Sequence, residues 1–237
     1  MIESIKNMLS TRFKVDTIIE IGIDEAGRGS FWGPIMAGAV IIPEEPTWTE
    51  KQRTMLSQLR DSKKISPKKR DKLADEIKEL IPMAAVGIVT AQEINERGIT
   101  WANMEAFRRA VVGLGLEDAS KCRLIIDGVL SIEDWDKETQ ELVVEGDSKY
   151  MAIAGASILA KVEHDRWITR FCEEHTECND RYDLLKSKGY GTVKHREGIR
   201  IYGGHELHRT LYIQNWLPGS THKAKPKKDM KQCLIKF

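Results

Sequence analysis

The sequence predicts an α/β layered domain, in which a mixed sheet is flanked by helices and further helices follow at the C-terminal end. Two observations support this fold class. Short apolar, β-branched runs alternate with longer segments whose apolar residues recur at helical spacing. The first two apolar runs lie close together in the chain, as the strands of an antiparallel hairpin do. We therefore expect both antiparallel and parallel strand pairs.

The predicted strands are short, and most are bounded by glycine, proline or an acid. The hairpin connects the first two strands and contains the segment Gly27-Arg28-Gly29, called here the glycine turn. The small residues of the second strand suit close packing against a helix. The predicted strands are Glu20–Asp24, Pro34–Ile42, Met83–Val89, Arg123–Asp127 and Leu142–Asp147.

The predicted helices have start signals or an apolar face. Ser66-Pro67 is a good helix start, with Ser66 as N-cap and proline at the first helical position. The segment from Trp101 to Leu114 is amphipathic. A long helix from about Ser148 to Phe171 begins with many alanine and glycine residues, which allow it to approach a sheet closely. Another helix is expected from about Glu206 to Trp216.

Composition limits the class of protein. The chain has 237 residues, of which 41% are hydrophobic and 31% charged, enough for one sizeable core. Its longest uncharged apolar run, Ile35 to Ile42, is too short to span a bilayer. The first residues lack the order of a secretion signal, and the cysteines have no framework spacing. We expect a monomeric cytoplasmic protein without a membrane partner.

The chain divides into three expected parts. Residues 1–18 are a lead-in of ambiguous structure, with a helix as one possibility, and residues 19–218 are the folded domain with its helical extension. Residues 219–237 contain six lysines and one aspartate, a net charge of +5. Such a segment is expected to be a disordered basic tail.

Four carboxylates recur near the ends of apolar strands: Asp24, Glu25, Asp127 and Asp147, called here the acidic quartet. Ligand sites of open α/β sheets gather at such ends. Acids there also serve as turn or cap residues, and Asp147 has the position of an N-cap for the long helix. Successive strand residues point to opposite faces, so Asp24 and Glu25 share a site only if the strand ends between them.

Oxygen ligands without histidine or thiolate select a hard cation, Mg²⁺ or Mn²⁺. Two such ions about 3.5–4 Å apart activate a water molecule and stabilise the leaving oxygen of a phosphodiester. The arginine of the glycine turn follows the first two acids at once, which places a cation suited to a phosphate beside them. The residues alone leave the metal site and the structural interpretation of the acids equally open.

Six blocks of sequence occur in an order and spacing that resembles type 2 ribonuclease H, the ribonuclease HII family. The similarity covers roughly residues 18–212. The arginine of the turn, the fourth acid at Asp147 and the short lead-in favour type 2 over type 3. The blocks are Asp24-Glu-Ala-Gly-Arg-Gly with Gly33-Pro34, Asp61-Ser-Lys-Lys64, Ile126-Asp127-Gly128, Gly146-Asp147, Ala156–Lys161, and Lys188-Gly-Tyr-Gly-Thr192 with His208-Arg209.

The resemblance implies an RNase H-like fold and cleavage of RNA in RNA–DNA hybrids, including single ribonucleotides in duplex DNA. It implies that the acidic quartet binds Mg²⁺ or Mn²⁺ and is catalytic, with cleavage on the 5′ side of the ribonucleotide. Its expected cellular roles are ribonucleotide removal and RNA primer processing. Another two-metal nuclease of this fold, such as a junction resolvase, and a non-catalytic hybrid-binding protein are the competing hypotheses.

The resemblance also implies roles in substrate binding. The bare backbone of Gly27 and Gly29 would approach a 2′-hydroxyl, and Arg28 would hold the adjacent phosphate. Tyr190 would stack on the deoxyribose that follows the ribonucleotide, or else be a core aromatic residue. Lys63 and Lys64 would contact the nucleic-acid backbone. His208 and Arg209 are expected to make structural contacts rather than catalytic ones.

Two regions depart from the family pattern. His164 stands where the family usually has arginine, and residues 172–185 match poorly. Within the second region, Cys172, His175 and Cys178 have the spacing of metal ligands, but a fourth zinc ligand is missing.

The last residues form a separate motif. Gln232, Ile235 and Phe237 resemble the short glutamine–aliphatic–aromatic peptides that dock on replication sliding clamps. A basic tether would raise the effective concentration of such a peptide at the clamp. A solvated tail with chance hydrophobic residues is the equal alternative.

Overall fold

The protein is described here from a computed structural model covering residues 9–220. The strands are β1 (Glu20–Ala26), β2 (Ile35–Val40), β3 (Ala84–Val89), β4 (Arg123–Asp127) and β5 (Gln140–Val143). The helices are α1 (Glu50–Leu56), α2 (Pro67–Leu80), α3 (Ala91–Arg97), α4 (Ile99–Val112), α5 (Met151–Glu174), α6 (Thr176–Tyr182), α7 (Leu184–Ser187), α8 (Val193–Tyr202) and α9 (Thr210–Ile213). No helix in this part of the chain has the length and apolar character needed to cross a membrane.

The strands form one mixed sheet in the order β3-β2-β1-β4-β5. The β1–β2 and β2–β3 pairs are antiparallel, whereas the β1–β4 and β4–β5 pairs are parallel. The predicted fold class and the opening hairpin are therefore confirmed. The last pair between β1 and β4 joins Ile23 to Ile126, so β1 continues beyond its neighbour and leaves an open edge there.

Helix α5 packs closely against one face of the sheet. A Cβ atom at Gly22 would lie 2.2 Å from the main-chain carbon of Ala152, and one at Gly38 would lie 2.2 Å from the carbonyl oxygen of Ala156. Any side chain at either glycine would therefore push the helix away from the sheet. The small residues of β2 and of the first turns of α5 explain this close packing, as the sequence predicts.

Helix α4 covers the opposite face of the sheet. Ile21 and Ile23 of β1 alternate with Gly22 and belong to the same buried cluster as Phe107 of α4. This alternation follows from the two-residue period of a strand. Full burial of one such aliphatic or aromatic side chain contributes about 1.5–3 kcal/mol.

The C-terminal helices form a smaller core of their own. Its centre is Trp32, which is fully buried and belongs to the loop that follows the glycine turn. The ring of Trp32 lies 5.4 Å from that of Tyr182 and 4.6 Å from that of His208, measured between ring centroids. The predicted helical extension therefore holds a loop of the sheet domain inside its own core.

Two predicted element boundaries were wrong. Strand β5 ends at Val143, and Asp147 lies in a separate 3₁₀ turn, Gly146–Ser148. The N-cap of α5 is Tyr150, so Asp147 does not cap that helix. The cause is Glu145, whose left-handed φ of 56° turns the chain before the helix begins.

The ends of the domain also differ from the sequence-based expectation. The helix predicted from Glu206 begins only at Thr210, because Glu206 and Leu207 form a turn and His208 then bridges to Trp32. Residues 9–18 of the lead-in contain no helix, and Ser10 instead pairs with Tyr150. Ser66 is the N-cap of α2, although its side chain makes no capping hydrogen bond.

Candidate active site

A cleft of about 420 Å³ opens where β1 runs past the end of β4. It brings together three acids of the quartet, the glycine turn, Lys63 and Tyr190. Lys64 and Asp147 do not line it. A larger cavity of about 590 Å³ lies beside Glu20, at the other end of β1, and contains none of the predicted site residues. The lining residues of the cleft are Asp24, Glu25, Ala26, Gly27, Arg28, Gly29, Ser62, Lys63, Arg70, Asp127, Ser157, Lys161 and Tyr190.

Asp24 and Glu25 reach the cleft from opposite faces of β1. The strand continues to Ala26, so the expectation that it must end between the two acids was wrong. Asp24 faces Ser157 of α5, whereas Glu25 faces Asn103 of α4. Both side chains reach one cleft because the β4 edge of β1 is unpaired from Asp24 onward.

Asp127 is the last residue of β4 and lies one step beyond the final pair of the β1–β4 ladder. Its Oδ1 atom accepts a hydrogen bond from the Gly146 main-chain N–H at 2.6 Å. This bond joins the end of β4 to the 3₁₀ turn that carries Asp147. The sheet therefore places Asp24 near Asp127, while a loop contact brings the fourth acid close.

Burial raises the pKa of Asp24 well above its usual range, and the neighbouring charges of Glu25 and Asp127 raise it further. The pKa of Asp147 is also raised, first by burial and then by the charges of Asp127 and Asp61. The pKa of Glu25 is raised by burial, against the lowering effect of Arg28. Negative charge in the cleft is thus destabilised by desolvation and by like charges.

The donor set fits a hard divalent cation. The quartet offers only carboxylate oxygens, and a cation among them would offset the repulsion that raises their pKa values. Within residues 9–220, however, no three acidic, histidine or cysteine side chains converge as a ready-made metal cluster. The acids are neighbours around a cleft, and cation binding would draw them together.

The glycine turn is held by the C-terminal extension. The Arg28 carbonyl accepts hydrogen bonds from Arg209 Nη1 at 2.9 Å and from Tyr212 Oη at 3.0 Å. Gly27 has a φ of +84°, and a Cβ atom there would lie 2.5 Å from the His164 ring. The turn therefore requires glycine both for its backbone conformation and for the space beside it.

Tyr190 lies on the same wall of the cleft as the glycine turn. It forms a bridge with Ser30, and a Cβ atom at Gly29 would lie 3.9 Å from its ring. The Lys161 ammonium group lies 5.3 Å from the centre of that ring. The tyrosine is therefore a residue of the cleft wall.

The two lysines of the Asp61–Lys64 block lie in different places. Both belong to a 3₁₀ turn, Ser62–Lys64, in which the Lys63 main-chain N–H donates to the side chain of the N-cap residue Asp61. Lys63 lines the cleft. The Lys64 ammonium group is exposed and lies 3.7 Å from the Asp61 carboxylate, so the structure places it at the surface outside the cleft.

A family model described as ribonuclease HII matches residues 21–215, which is most of the chain. The chain belongs to the ribonuclease HII family.

Two curated relatives are similar to this chain over most of its length. Ribonuclease HII of Caldanaerobacter subterraneus subsp. tengcongensis is 38% identical over 84% of this chain and 75% of its own length. Ribonuclease HII of Fusobacterium nucleatum subsp. nucleatum is 39% identical over 86% of this chain and 90% of its own length. The chain is therefore a ribonuclease H endonuclease.

Solved structures share the fold. The ribonuclease H2 of Pyrococcus horikoshii OT3 is 25% identical with a TM-score of 0.61, over 83% of this chain and 96% of that one. The ribonuclease HII of Archaeoglobus fulgidus, solved in complex with PCNA, is 24% identical with a TM-score of 0.60, over 81% and 94%. Bst-RNase HIII, solved with Mn²⁺, is 23% identical with a TM-score of 0.62, over 86% and 70%. These similarities confirm an RNase H-like mixed sheet.

His164, which departs from the family pattern, is fully buried against the glycine turn. Its Nδ1 atom lies 3.3 Å from the Asp165 carboxylate, while Nε2 has no hydrogen-bond partner among the described residues. Burial lowers the pKa of this histidine. A neutral ring therefore occupies the position where the family resemblance leads us to expect arginine.

The poorly matching region gives no support to a zinc site. Cys172 and Cys178 are buried in the core around Trp32, whereas His175 is exposed. Both cysteines are free, and the part of the chain that the structure describes contains no group of three metal-ligating side chains. These cysteines contribute to packing.

Sequence reasoning did not assign several residues of the site. Lys161 and Arg70 both line the cleft. Lys161 lies in a sequence block shared with the family, which could have identified it, whereas no motif contains Arg70. Arg209 donates hydrogen bonds to the carbonyls of Gly33, Arg28 and Pro34, in line with its expected structural role. Its contact with the glycine turn was not predictable, because the two segments lie far apart in the sequence.

Proposed function

We propose that this ribonuclease H hydrolyses the RNA of RNA–DNA hybrids and cleaves on the 5′ side of ribonucleotides embedded in duplex DNA. The products would carry 3′-hydroxyl and 5′-phosphate ends. The observation that carries the proposal is that three carboxylates, the glycine turn and Tyr190 line a single cleft. The carboxylates supply the chemistry, and the other two supply recognition of the RNA-to-DNA junction.

The acidic quartet would hold two divalent cations, Mg²⁺ or Mn²⁺. The raised pKa values of Asp24 and Asp147 support this assignment, because bound cations would offset the unfavourable negative charge. When bound, such a pair of ions supplies activation of a water molecule and stabilisation of the leaving oxygen. The Gly146 N–H holds the Asp127 carboxylate in one orientation.

The glycine turn would recognise the 2′-hydroxyl. An RNA–DNA hybrid displays this group in a wide, shallow minor groove, where a backbone without side chains can approach it. The Arg28 carbonyl already accepts two hydrogen bonds from the extension, so main-chain groups of Gly27 and Gly29 would bind the hydroxyl. The Arg28 guanidinium would hold the adjacent phosphate.

Tyr190 would stack on the deoxyribose that follows the ribonucleotide. Its ring lies at the cleft beside Lys161, with the glycine turn as its neighbour. Lys63 in the cleft would contact the nucleic-acid backbone, and Lys64 at the surface would add a second, weaker contact.

The decisive experiment compares three duplexes: one with a single ribonucleotide, a continuous RNA–DNA hybrid, and an all-DNA branched junction, each with Mg²⁺ and with Mn²⁺. We expect cleavage of the first two, at the 5′ side of the ribonucleotide, and none of the third. Asp127→Asn is the matched control and should abolish cleavage while leaving substrate binding intact. Cutting of the all-DNA junction as readily as the ribonucleotide duplex would favour a resolvase. Unchanged cleavage by Asp127→Asn would disprove the proposed catalytic role of the acidic quartet.

We further propose roles in ribonucleotide removal and primer processing, with recruitment by a sliding clamp. Gln232, Ile235 and Phe237, which would form the docking peptide, lie outside the described residues. Support comes from the motif itself and from the Archaeoglobus relative, which was solved in complex with PCNA. Deletion of residues 232–237 should abolish pull-down by the clamp and leave cleavage in free solution unchanged. Undiminished clamp binding would exclude this role of the tail.

A further inference from the structure

Two buried histidines lie behind the cleft wall. His195 is 0% exposed and His208 is 1% exposed, and their Nε2 atoms are 3.0 Å apart. Neither side chain lines the cleft. Burial lowers the pKa of His195 to about 4 and that of His208 to about 3, so both rings are neutral near pH 7. We call them the histidine pair.

The partners of the histidine pair determine where each proton lies. His208 Nδ1 accepts a hydrogen bond from the main-chain N–H of His205 at 2.8 Å, so this neutral ring carries its proton on Nε2. That proton is donated to Nε2 of His195. The neutral His195 ring therefore carries its proton on Nδ1, which donates to the Tyr190 carbonyl at 3.1 Å.

The result is a one-directional chain of hydrogen bonds from the His205 N–H, through both rings, to the main chain of Tyr190. Protonation of His195 would bring two N–H donors face to face across the 3.0 Å between the Nε2 atoms, and protonation of His208 would do the same against the His205 N–H at 2.8 Å. Either event would break the chain. The chain also joins separate segments, because His208 belongs to the loop that pairs with Trp32. The loop before α9 is thereby tied to the loop that carries Tyr190.

The backbone around Tyr190 depends on such support. The two preceding residues, Lys188 and Gly189, have left-handed φ angles of 49° and 78°. For a residue with a Cβ atom this conformation costs roughly 1–2 kcal/mol. The Gly189 carbonyl accepts main-chain hydrogen bonds from Phe31 at 2.8 Å and Trp32 at 3.2 Å. The Tyr190 carbonyl accepts from the nearby Thr192 N–H at 2.7 Å and from His195, whose ring links this carbonyl to the loop before α9.

We propose that His195 and His208 are positioning residues that hold the main chain of Tyr190, and thereby set how strongly the enzyme prefers an RNA-to-DNA junction. This inference rests on the proposed stacking role of Tyr190. The pair does not contact the substrate; it acts through the tyrosine. Loss of the chain would leave the ring free to move away from the sugar that follows the ribonucleotide.

The test measures the ratio of cleavage rates on two substrates, a duplex with a single ribonucleotide and a continuous RNA–DNA hybrid. This ratio does not depend on the fraction of folded enzyme. His195→Leu removes the donor, and we expect the ratio to fall about three- to tenfold, the effect of one hydrogen bond. His195→Asn places an amide N–H where Nδ1 was and should retain most of the preference. His195→Gln places its amide where Nε2 was and provides no donor at the position of Nδ1, so it should resemble the leucine variant.

Repeating the test in a variant that lacks the tyrosine ring distinguishes positioning of Tyr190 from a general structural role of the histidine. In Tyr190→Ala the ratio should already be low, and adding His195→Leu should lower it no further. His175→Asn, which changes an exposed histidine outside the chain of bonds, should leave the ratio unchanged. An equal fall of the ratio with and without the tyrosine would overturn the inference.

The remaining outcomes distinguish the inference from the proposed function. If Tyr190→Ala leaves the ratio unchanged, the stacking role fails and the inference fails with it. If Tyr190→Ala lowers the ratio and His195→Leu does not, only the inference fails. Nitrogen chemical shifts of the histidine rings provide a test without substrate. A proton on Nδ1 of His195 and on Nε2 of His208 is expected, and the opposite pattern would disprove the chain.

Discussion

The two halves of the cleft are built in different ways. Three acids of the acidic half come from the sheet, whose register places Asp24 beside Asp127 at the end of β4. The fourth, Asp147, lies in the 3₁₀ turn that is bonded to Asp127. The other half, called here the recognition half after its proposed role, consists of the glycine turn and Tyr190 and comes from loops. These loops are held by side chains of the C-terminal extension, chiefly Arg209 and His195.

The two halves therefore differ in what holds their residues in place. A sheet holds its strand ends rigidly, so the acids keep their places even though their charges repel. A loop has no such ladder, and its polar groups need hydrogen bonds from elsewhere. If the proposed function is right, the chemistry therefore depends on the sheet, whereas recognition depends on the packing of a separate small core around Trp32.

The largest expected effect concerns the acidic half. Asp24→Asn should lower the cleavage rate by more than about 100-fold, since even outer partners of metal ligands typically cost 10–100-fold. The same change should raise the free energy of unfolding at pH 7 without metal, because it removes a buried charge beside Glu25 and Asp127. Thermal unfolding and cleavage assays check both results. A less stable variant would contradict our account of the electrostatics.

The recognition half should respond most to Arg209→Met. The buried guanidinium donates to three main-chain carbonyls, and each polar group left unpaired costs about 1–3 kcal/mol. We expect a loss of about 3 kcal/mol or more, measured by urea unfolding, together with weaker cleavage at single ribonucleotides. Arg170→Met, at an exposed position, is the matched control and should change neither property.

The buried groups of the two halves should change the free energy of unfolding in opposite directions as pH falls. His195 and His208 have folded-state pKa values of about 4 and about 3, below the ordinary value of 6.5. Between pH 6.5 and about 4 the unfolded chain therefore binds more protons, and the free energy of unfolding falls as pH falls. Asp24 acts oppositely, since its raised pKa favours the folded state as pH falls.

Urea unfolding midpoints at pH 7 and pH 5 test the histidine contribution. Relative to the parent chain, His195→Asn should lose less stability between these two pH values, because one titrating group has been removed. His175→Asn, which changes an exposed histidine, should keep the slope of the parent. An unchanged slope in His195→Asn would show that the buried ring does not remain neutral in the folded state.

The smallest effect is expected from Tyr212→Phe. This change removes one of the two donors to the Arg28 carbonyl, while Arg209 keeps the other. We expect a loss of about 1 kcal/mol or less, because the carbonyl stays hydrogen-bonded. Cleavage at single ribonucleotides should fall by no more than a few fold. Tyr202→Phe, at an exposed tyrosine, provides the comparison for both measurements.

Much of the acidic half was predictable because its determinants are local. Apolar runs that end in acids predict strands with carboxylates at one edge, and the recognised blocks name the family. The errors were also local in origin. Asp147 looked like a strand end or a helix cap, but the left-handed Glu145 turns the chain into a short 3₁₀ turn. A single residue with an uncommon φ is not visible in a pattern of hydrophobicity.

The sequence by itself determined the order of strands and helices, the acids, the glycine turn and the family, because periodicity and short motifs depend on neighbouring residues. Only the tertiary structure decided how the glycine turn is held. Arg28 and Arg209 are separated by 181 residues, and the bond between them exists only when the small core around Trp32 is packed. Such a contact depends on the free energy of burying distant side chains together, which no local pattern specifies.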